Sequence, residues 1–114
     1  MKEISPQERR LHTRKKHRTR IVFEDEFGDG LFYVYSEDMS MGGAFLASDI
    51  PLRVGTLLFL SFQLPPHKRP IRVTGEVVRR ASSGGEAGAA GGMGVRFIGL
   101  SEMAMKRLED FLEG

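Results

Sequence analysis

From Ile21 onward, short apolar runs alternate with clusters of turn-forming residues. Ile21-Val22-Phe23 begins a first strand, and Glu24-Asp25-Glu26 with Gly28-Asp29-Gly30 supply the turn after it. The aromatic run from Leu31 to Tyr35 is a second strand and Ala44 to Ser48 a third. Pro51-Leu52-Arg53-Val54-Gly55 reads as a turn into Thr56 to Gln63, a long strand in which Leu58, Leu60 and Phe62 share one face. The break at Pro65-Pro66-His67-Lys68-Arg69-Pro70 is followed by Ile71, Val73, Gly75 and Val77 alternating with Arg72, Thr74, Glu76 and Val78. That period of two is the mark of a half-buried strand, and Gly75 in its middle predicts a bend or bulge. Residues 82–92 are rich in glycine and alanine and read as a mobile loop. Met93, Val95 and Phe97 then alternate with Gly94 and Arg96 as a sixth strand, which turns Arg96 outward into a surface ion pair.

The period changes once, at the end. Ser101 is placed as an N-cap with Glu102 in the first turn, and Ala104, Met105, Leu108, Phe111 and Leu112 form the apolar stripe of a helix. Six short strands without helical crossovers, followed by one helix, predict an all-β fold: an antiparallel barrel or curled sheet with the helix over one opening or flank. Tyr33, Tyr35, Phe45 and Phe59 are expected inside the barrel rather than as base-stacking platforms. At 114 residues, 40% hydrophobic and 28% charged, the chain is one domain with material for a single core. Residues 1–20 form an N-terminal arm and residues 21–114 the barrel with its helix.

Charge sharpens the division between arm and body. Arg9, Arg10, Arg14, Lys15, Lys16, Arg18 and Arg20 are seven of the 17 basic residues, leaving ten against 15 acidic residues elsewhere. Leu11 is the one large apolar residue between Arg9 and Arg20, so the arm is read as flexible and ordered by what it contacts. A basic arm on a mildly acidic body suits an anionic partner, a solvated tail, or pairing with the body's own carboxylates. The absence of cysteine rules out a disulfide framework and a thiolate metal site, and His12, His17 and His67 lack zinc spacing. No window holds the roughly 20 apolar residues needed to cross a bilayer, and the start of the chain lacks an apolar signal core, so a soluble, cytoplasmic protein is expected. No nucleophile, base and orienting group assemble into a catalytic set, so an enzyme is not expected.

The chemistry concentrates in Asp38-Met39-Ser40-Met41-Gly42-Gly43, between the second and third strands. Read locally, this is a hairpin turn in which Asp38 and Ser40 bond their own backbone and glycine allows positive φ or a close backbone approach. Upstream, Arg10 and Arg14 stand as Arg-x-x-x-Arg, a spacing that Arg14 and Arg18 also satisfy. With Asp38-x-Ser40-x-x-Gly43 after such an arm, the chain resembles the PilZ domain family of bacterial cyclic di-GMP receptors. Pro51 to Gly55, Gly75-Glu76-Val77-Val78, and Gly94-Val95-Arg96-Phe97 before Leu100-Ser101 extend the likeness across most of the chain.

The resemblance implies a six-stranded antiparallel PilZ-type β-barrel and cyclic di-GMP as the ligand, with no further cofactor. Carried over residue by residue, it makes Arg10 and Arg14 the arm ligands and Asp38, Ser40 and Gly43 the turn ligands, with Arg9, Gly42 and Arg18 as further candidates. The chemistry agrees: guanidinium groups suit phosphates and the O6 and N7 acceptors of guanine, and a carboxylate suits the N1 and N2 donors. Lys15 and Lys16 depart from the family's usual apolar residue and proline, and add positive charge for phosphate. The family further implies a change of arm conformation on binding and signalling to an unidentified protein, in motility or exopolysaccharide control. The competing readings are a nucleic-acid-binding module that uses the arm on phosphate, and a ligand-independent interaction domain.

Overall fold

The computed structural model describes residues 15–28, 30–48, 50, 52–81 and 91–113. Among the described residues six strands and one helix follow one another: β1 (Lys15–Asp25), β2 (Leu31–Met39), β3 (Gly43–Ala47), β4 (Leu57–Phe62), β5 (Ile71–Ala81), β6 (Gly92–Ile98) and α1 (Glu102–Glu113). All neighbouring strands are antiparallel, in the order β1-β2-β3-β6-β5-β4, and the sheet closes into a barrel through β1 and β4. Closure leaves no edge row of strand N–H and C=O groups for another chain to pair with along the closed ladders.

Alternation fills the inside. Ile21 and Phe23 of β1, Val34 of β2, Leu46 of β3, Leu58, Leu60 and Phe62 of β4, Ile71, Val73 and Val77 of β5, and Met93, Val95 and Phe97 of β6 are buried. Phe23 stacks on Phe32 at 5.2 Å and Phe62 on Phe97 at 6.0 Å, so aromatic pairs seal both the β1–β2 and the β4–β6 sides of the core.

Three details differ from the pattern-based expectations. First, β1 begins at Lys15 rather than Ile21, because residues opposite it in β2 continue the ladder as far as Lys15 with Met39. Second, Gly75 sits in an unbroken ladder with Leu58 and Phe97; a Cβ there would meet Val95 Cγ1 at 2.4 Å, so glycine makes room for an inward valine rather than a bend. The irregularity of β5 lies between Val77 and Arg79. Third, Tyr33, Tyr35 and Phe59 lie on the outer surface, since they share the outward parity of Arg20, Val22 and Glu24 in β1.

Helix α1 is capped as expected: the Ala104 N–H donates to Ser101 Oγ at 3.1 Å. Ala104, Leu108 and Phe111 are its buried stripe, while Met105 is 39% exposed, so the stripe is narrower than the apolar residues alone implied. The helix packs beside β5, and the Phe111 ring meets the His17 imidazole edge-on at 5.3 Å. Arg107 donates to the carbonyl of Arg69, tying the helix to the β4–β5 loop. The helix therefore braces the end of the barrel where β1 begins. Among the described residues, no helix is long and apolar enough to cross a membrane.

Candidate functional site

The Asp38–Gly43 stretch is part strand and part turn. Asp38 and Met39 belong to β2, Gly43 opens β3, and residues 40–42 make the connection. The turn is closed by the Ser40 N–H donating to the Gly43 carbonyl at 2.9 Å. Ser40 is buried, its Oγ accepting from the Gly42 N–H at 3.3 Å and donating to the Gly43 carbonyl at 3.4 Å. These bonds are long, so the hydroxyl is held in the turn without being saturated.

The two glycines act differently. Neither has positive φ. A Cβ on Gly43 would lie 2.0 Å from the Val95 carbonyl oxygen, so glycine is what lets β3 approach β6 there. Gly42 is exposed and its carbonyl accepts from the Phe97 N–H at 2.8 Å, which anchors the turn to β6.

Asp38 owes its direction to a bulge. Ser36 points inward and is fully buried, so strict alternation would take Asp38 into the barrel as well. The register between β2 and β3 shifts between Ser36 and Asp38, and a matching shift in β1 falls between Lys16 and Thr19. Ser36 Oγ donates to the Asp38 carbonyl at 2.9 Å across the irregularity. The extra residue reverses the parity: Met39 becomes the buried residue and Asp38 is half-buried toward the outer side.

On β5 the same device operates. Arg72, Glu76 and Val78 face outward around a buried Val77, so alternation would direct Arg79 inward. The shift between Val77 and Arg79 turns its guanidinium out, opposite Gly94. The result is one outward row across four strands, Asp38 to Phe45 to Gly94 to Arg79, each directly paired with the next. The Phe45 ring lies half-buried against β6, where Cβ atoms on Gly92 would strike it at 2.4 Å, and Arg79 sits over it at 5.7 Å. Phe45 is thus outside the barrel, contrary to the core position expected for it.

Ser40, Gly42, Phe45, Arg79 and Arg96 line an open groove of about 570 Å³ along this row. Arg96 is exposed and pairs with Glu76 at 2.5 Å, the surface ion pair its position in β6 implied. Groups able to bind a planar, polar ligand meet in the groove: an aromatic ring, guanidinium groups and backbone left open by glycine, with Asp38 one ladder position from Phe45. From sequence, Phe45 is placed in the core and Arg79 is not marked; a basic residue after an alternating run is the only signal for Arg79, and the bulge erases it.

Arg9, Arg10, Arg14 and His12 lie outside the described residues. Arg18 is described, and its guanidinium lies 3.9 Å from the centroid of the Tyr35 ring on the outer face of the barrel. Lys16 is opposite Asp38 and Lys15 opposite Met39, so the chain enters the barrel alongside the motif turn.

The model of the PilZ domain matches residues 8–114. The fold is similar to that of the Bacillus subtilis inhibitor of motility (MotI/DgrA), with a TM-score of 0.76 at 19% identity over 97% of this chain; that match spans 56% of the Bacillus protein. It is also similar to the PilZ domain of CeSA from a cellulose-synthesizing bacterium, with a TM-score of 0.65 at 20% identity, covering 89% of this chain and 98% of the other. No protein among curated ones matches. With a closed six-stranded barrel, a capped C-terminal helix, and a family match running from Glu8 through to the end of the chain, this protein belongs to the PilZ domain family.

Proposed function

We propose that the protein is a non-enzymatic receptor for cyclic di-GMP, in which Arg10 and Arg14 of the arm close over Asp38, Ser40 and Gly43 at the β2–β3 turn. The observation that carries this reading is the β1–β2 register. Lys16 pairs with Asp38 and Lys15 with Met39, and Arg14 is the residue bonded to Lys15, so the arm is covalently delivered to the motif turn. Ordinary strand pairing thus sets Lys15, the residue that follows Arg14 in sequence, beside the last residue of β2, which supports a site shared by the two motifs.

Each group has a role that its chemistry supports. Asp38 accepts from the N1 and N2 donors of a guanine, and Arg10 and Arg14 take phosphate oxygens or the O6 and N7 edge in a fork. Gly43 keeps β3 tight against β6, and Ser40 fixes the turn from within. Gly42 lines the same groove, Arg9 and Arg18 are further candidate ligands from the sequence, and Phe45 with Arg79 extends the row as a stacking surface and a second cation. Ligand binding orders the arm through charge-assisted bonds, and the changed surface is what a partner protein reads. The Bacillus relative is called an inhibitor of motility and the other comes from a cellulose-synthesizing bacterium, which directs the search for a controlled process to those two outputs.

Backbone amide resonances followed during titration with cyclic di-GMP test the placement. The reading expects the largest shifts at residues 38–45, at Gly94 and at Arg79. Shifts confined to α1 or to the outer face of β4 would refute it.

A further inference from the structure

The outer face of β1, β2 and β4 breaks the rule that outward barrel positions are polar. Arg20, Val22 and Glu24 of β1 stand opposite Tyr35, Tyr33 and Leu31 of β2, and Val22 and Glu24 stand opposite Ser61 and Phe59 of β4. Leu31 and Tyr33 are each 60% exposed, Phe59 51% and Tyr35 42%. On β5 the outward residues are Arg72, Thr74 and Glu76, as a solvated face requires. An exposed face with this many large apolar residues in adjacent register positions marks an interaction surface.

We propose that this face pairs two copies of the protein about a two-fold axis lying across the strands over Val22. The order of charge along β1 selects the occupant. Outward from Val22, two residues one way is Arg20 and two residues the other way is Glu24, about 6.6 Å each at the rise of a strand. A two-fold axis across the strands reverses the strand direction, so Arg20 of each copy faces Glu24 of the other, and Tyr33 meets Tyr33. An axis along the strands sets Arg20 against Arg20 and Glu24 against Glu24, and repulsion rejects it. Arg20 lies over the Tyr33 ring at 4.8 Å, which holds its charge on this face. Among the described residues neither Arg20 nor Glu24 takes part in an ion pair within its own chain.

The strip is three strands wide, about 14 Å, and about 20 Å long, roughly 280 Å² per copy, which is smaller than a standard specific interface and fits only a transient contact. Association is therefore weak and concentration-dependent. It uses none of Asp38, Phe45, Gly94 and Arg79, and meets the candidate ligand residues only at its edge, where Arg18 lies over Tyr35.

Sedimentation equilibrium of the full chain from about 10 to about 500 μM tests the proposal. A monomer–dimer equilibrium that weakens with salt is expected. Arg20→Glu and Glu24→Arg should each raise the dissociation constant at least about tenfold, and Tyr33→Ser should do the same without changing charge. An equimolar mixture of the two charge variants, and the double variant R20E/E24R, should associate as the unaltered protein does, because opposite charges face each other again. Monomer up to the highest concentration overturns the proposal and leaves the face to a partner of another kind. A dimer indifferent to all three substitutions, or charge variants that stay apart when mixed, overturns it as well.

Discussion

A Cβ at position 43 would sit 2.0 Å from the Val95 carbonyl oxygen and 3.2 Å from the Arg96 Cα, both backbone atoms that cannot swing aside. At position 42 the nearest atom is Ser40 Oγ at 3.9 Å, an ordinary contact. Two adjacent glycines of one motif are therefore held by different constraints. Gly43→Ala should cost about 3 kcal/mol or more by forcing β3 from β6, while Gly42→Ala should stay within about 0.5 kcal/mol. Thermal melts check this: at about 4 °C per kcal/mol, the first variant melts about 10 °C or more below the unaltered protein and the second within a few degrees of it. Equal melting points would show that the β3–β6 approach is not what requires Gly43.

At the scale of elements, the barrel was legible because burial imposes alternation, and alternation survives in Leu58, Leu60 and Phe62 or in Ile71, Val73 and Val77. The helix was legible from Ser101 and the stripe that follows it. What escaped the pattern is what the bulges control. Asp38 and Arg79 follow residues whose parity points them inward, and one extra residue in each strand turns them out. Periodicity has no term for an inserted residue, so the row joining Asp38, Phe45 and Arg79 came only with the register. The outward tyrosines escaped for another reason: an aromatic residue in a strand satisfies the same pattern whether it fills a core or covers a surface. The cap gives a prediction at this scale. Ser101→Ala removes the acceptor of the Ala104 N–H and should lower stability by about 1 kcal/mol, seen as a melting point about 4 °C lower.

The whole molecule combines a rigid closed barrel with a cationic segment that joins it at Lys15, beside the carboxylate of the motif. In the proposed reading, a ligand carrying two phosphates and two guanines would meet positive charge from the arm and a carboxylate from the barrel, each half of the site being incomplete alone. Ligand binding to the folded state only should therefore stabilise the whole: at one hundred times the dissociation constant the gain is about 2.7 kcal/mol, or about 10 °C in melting temperature. Cyclic di-GMP should produce that shift where guanosine monophosphate at equal concentration does not. The most direct test of the central claim is calorimetric titration of the protein with cyclic di-GMP, alongside Arg14→Ala in the arm sequence and Asp38→Ala, a half-buried residue outside the hydrophobic core. Saturable binding in the unaltered protein, weakened about tenfold or more by each substitution with the barrel still folded, is the predicted result. No heat of binding at high micromolar ligand, or binding that survives both substitutions unchanged, would contradict it.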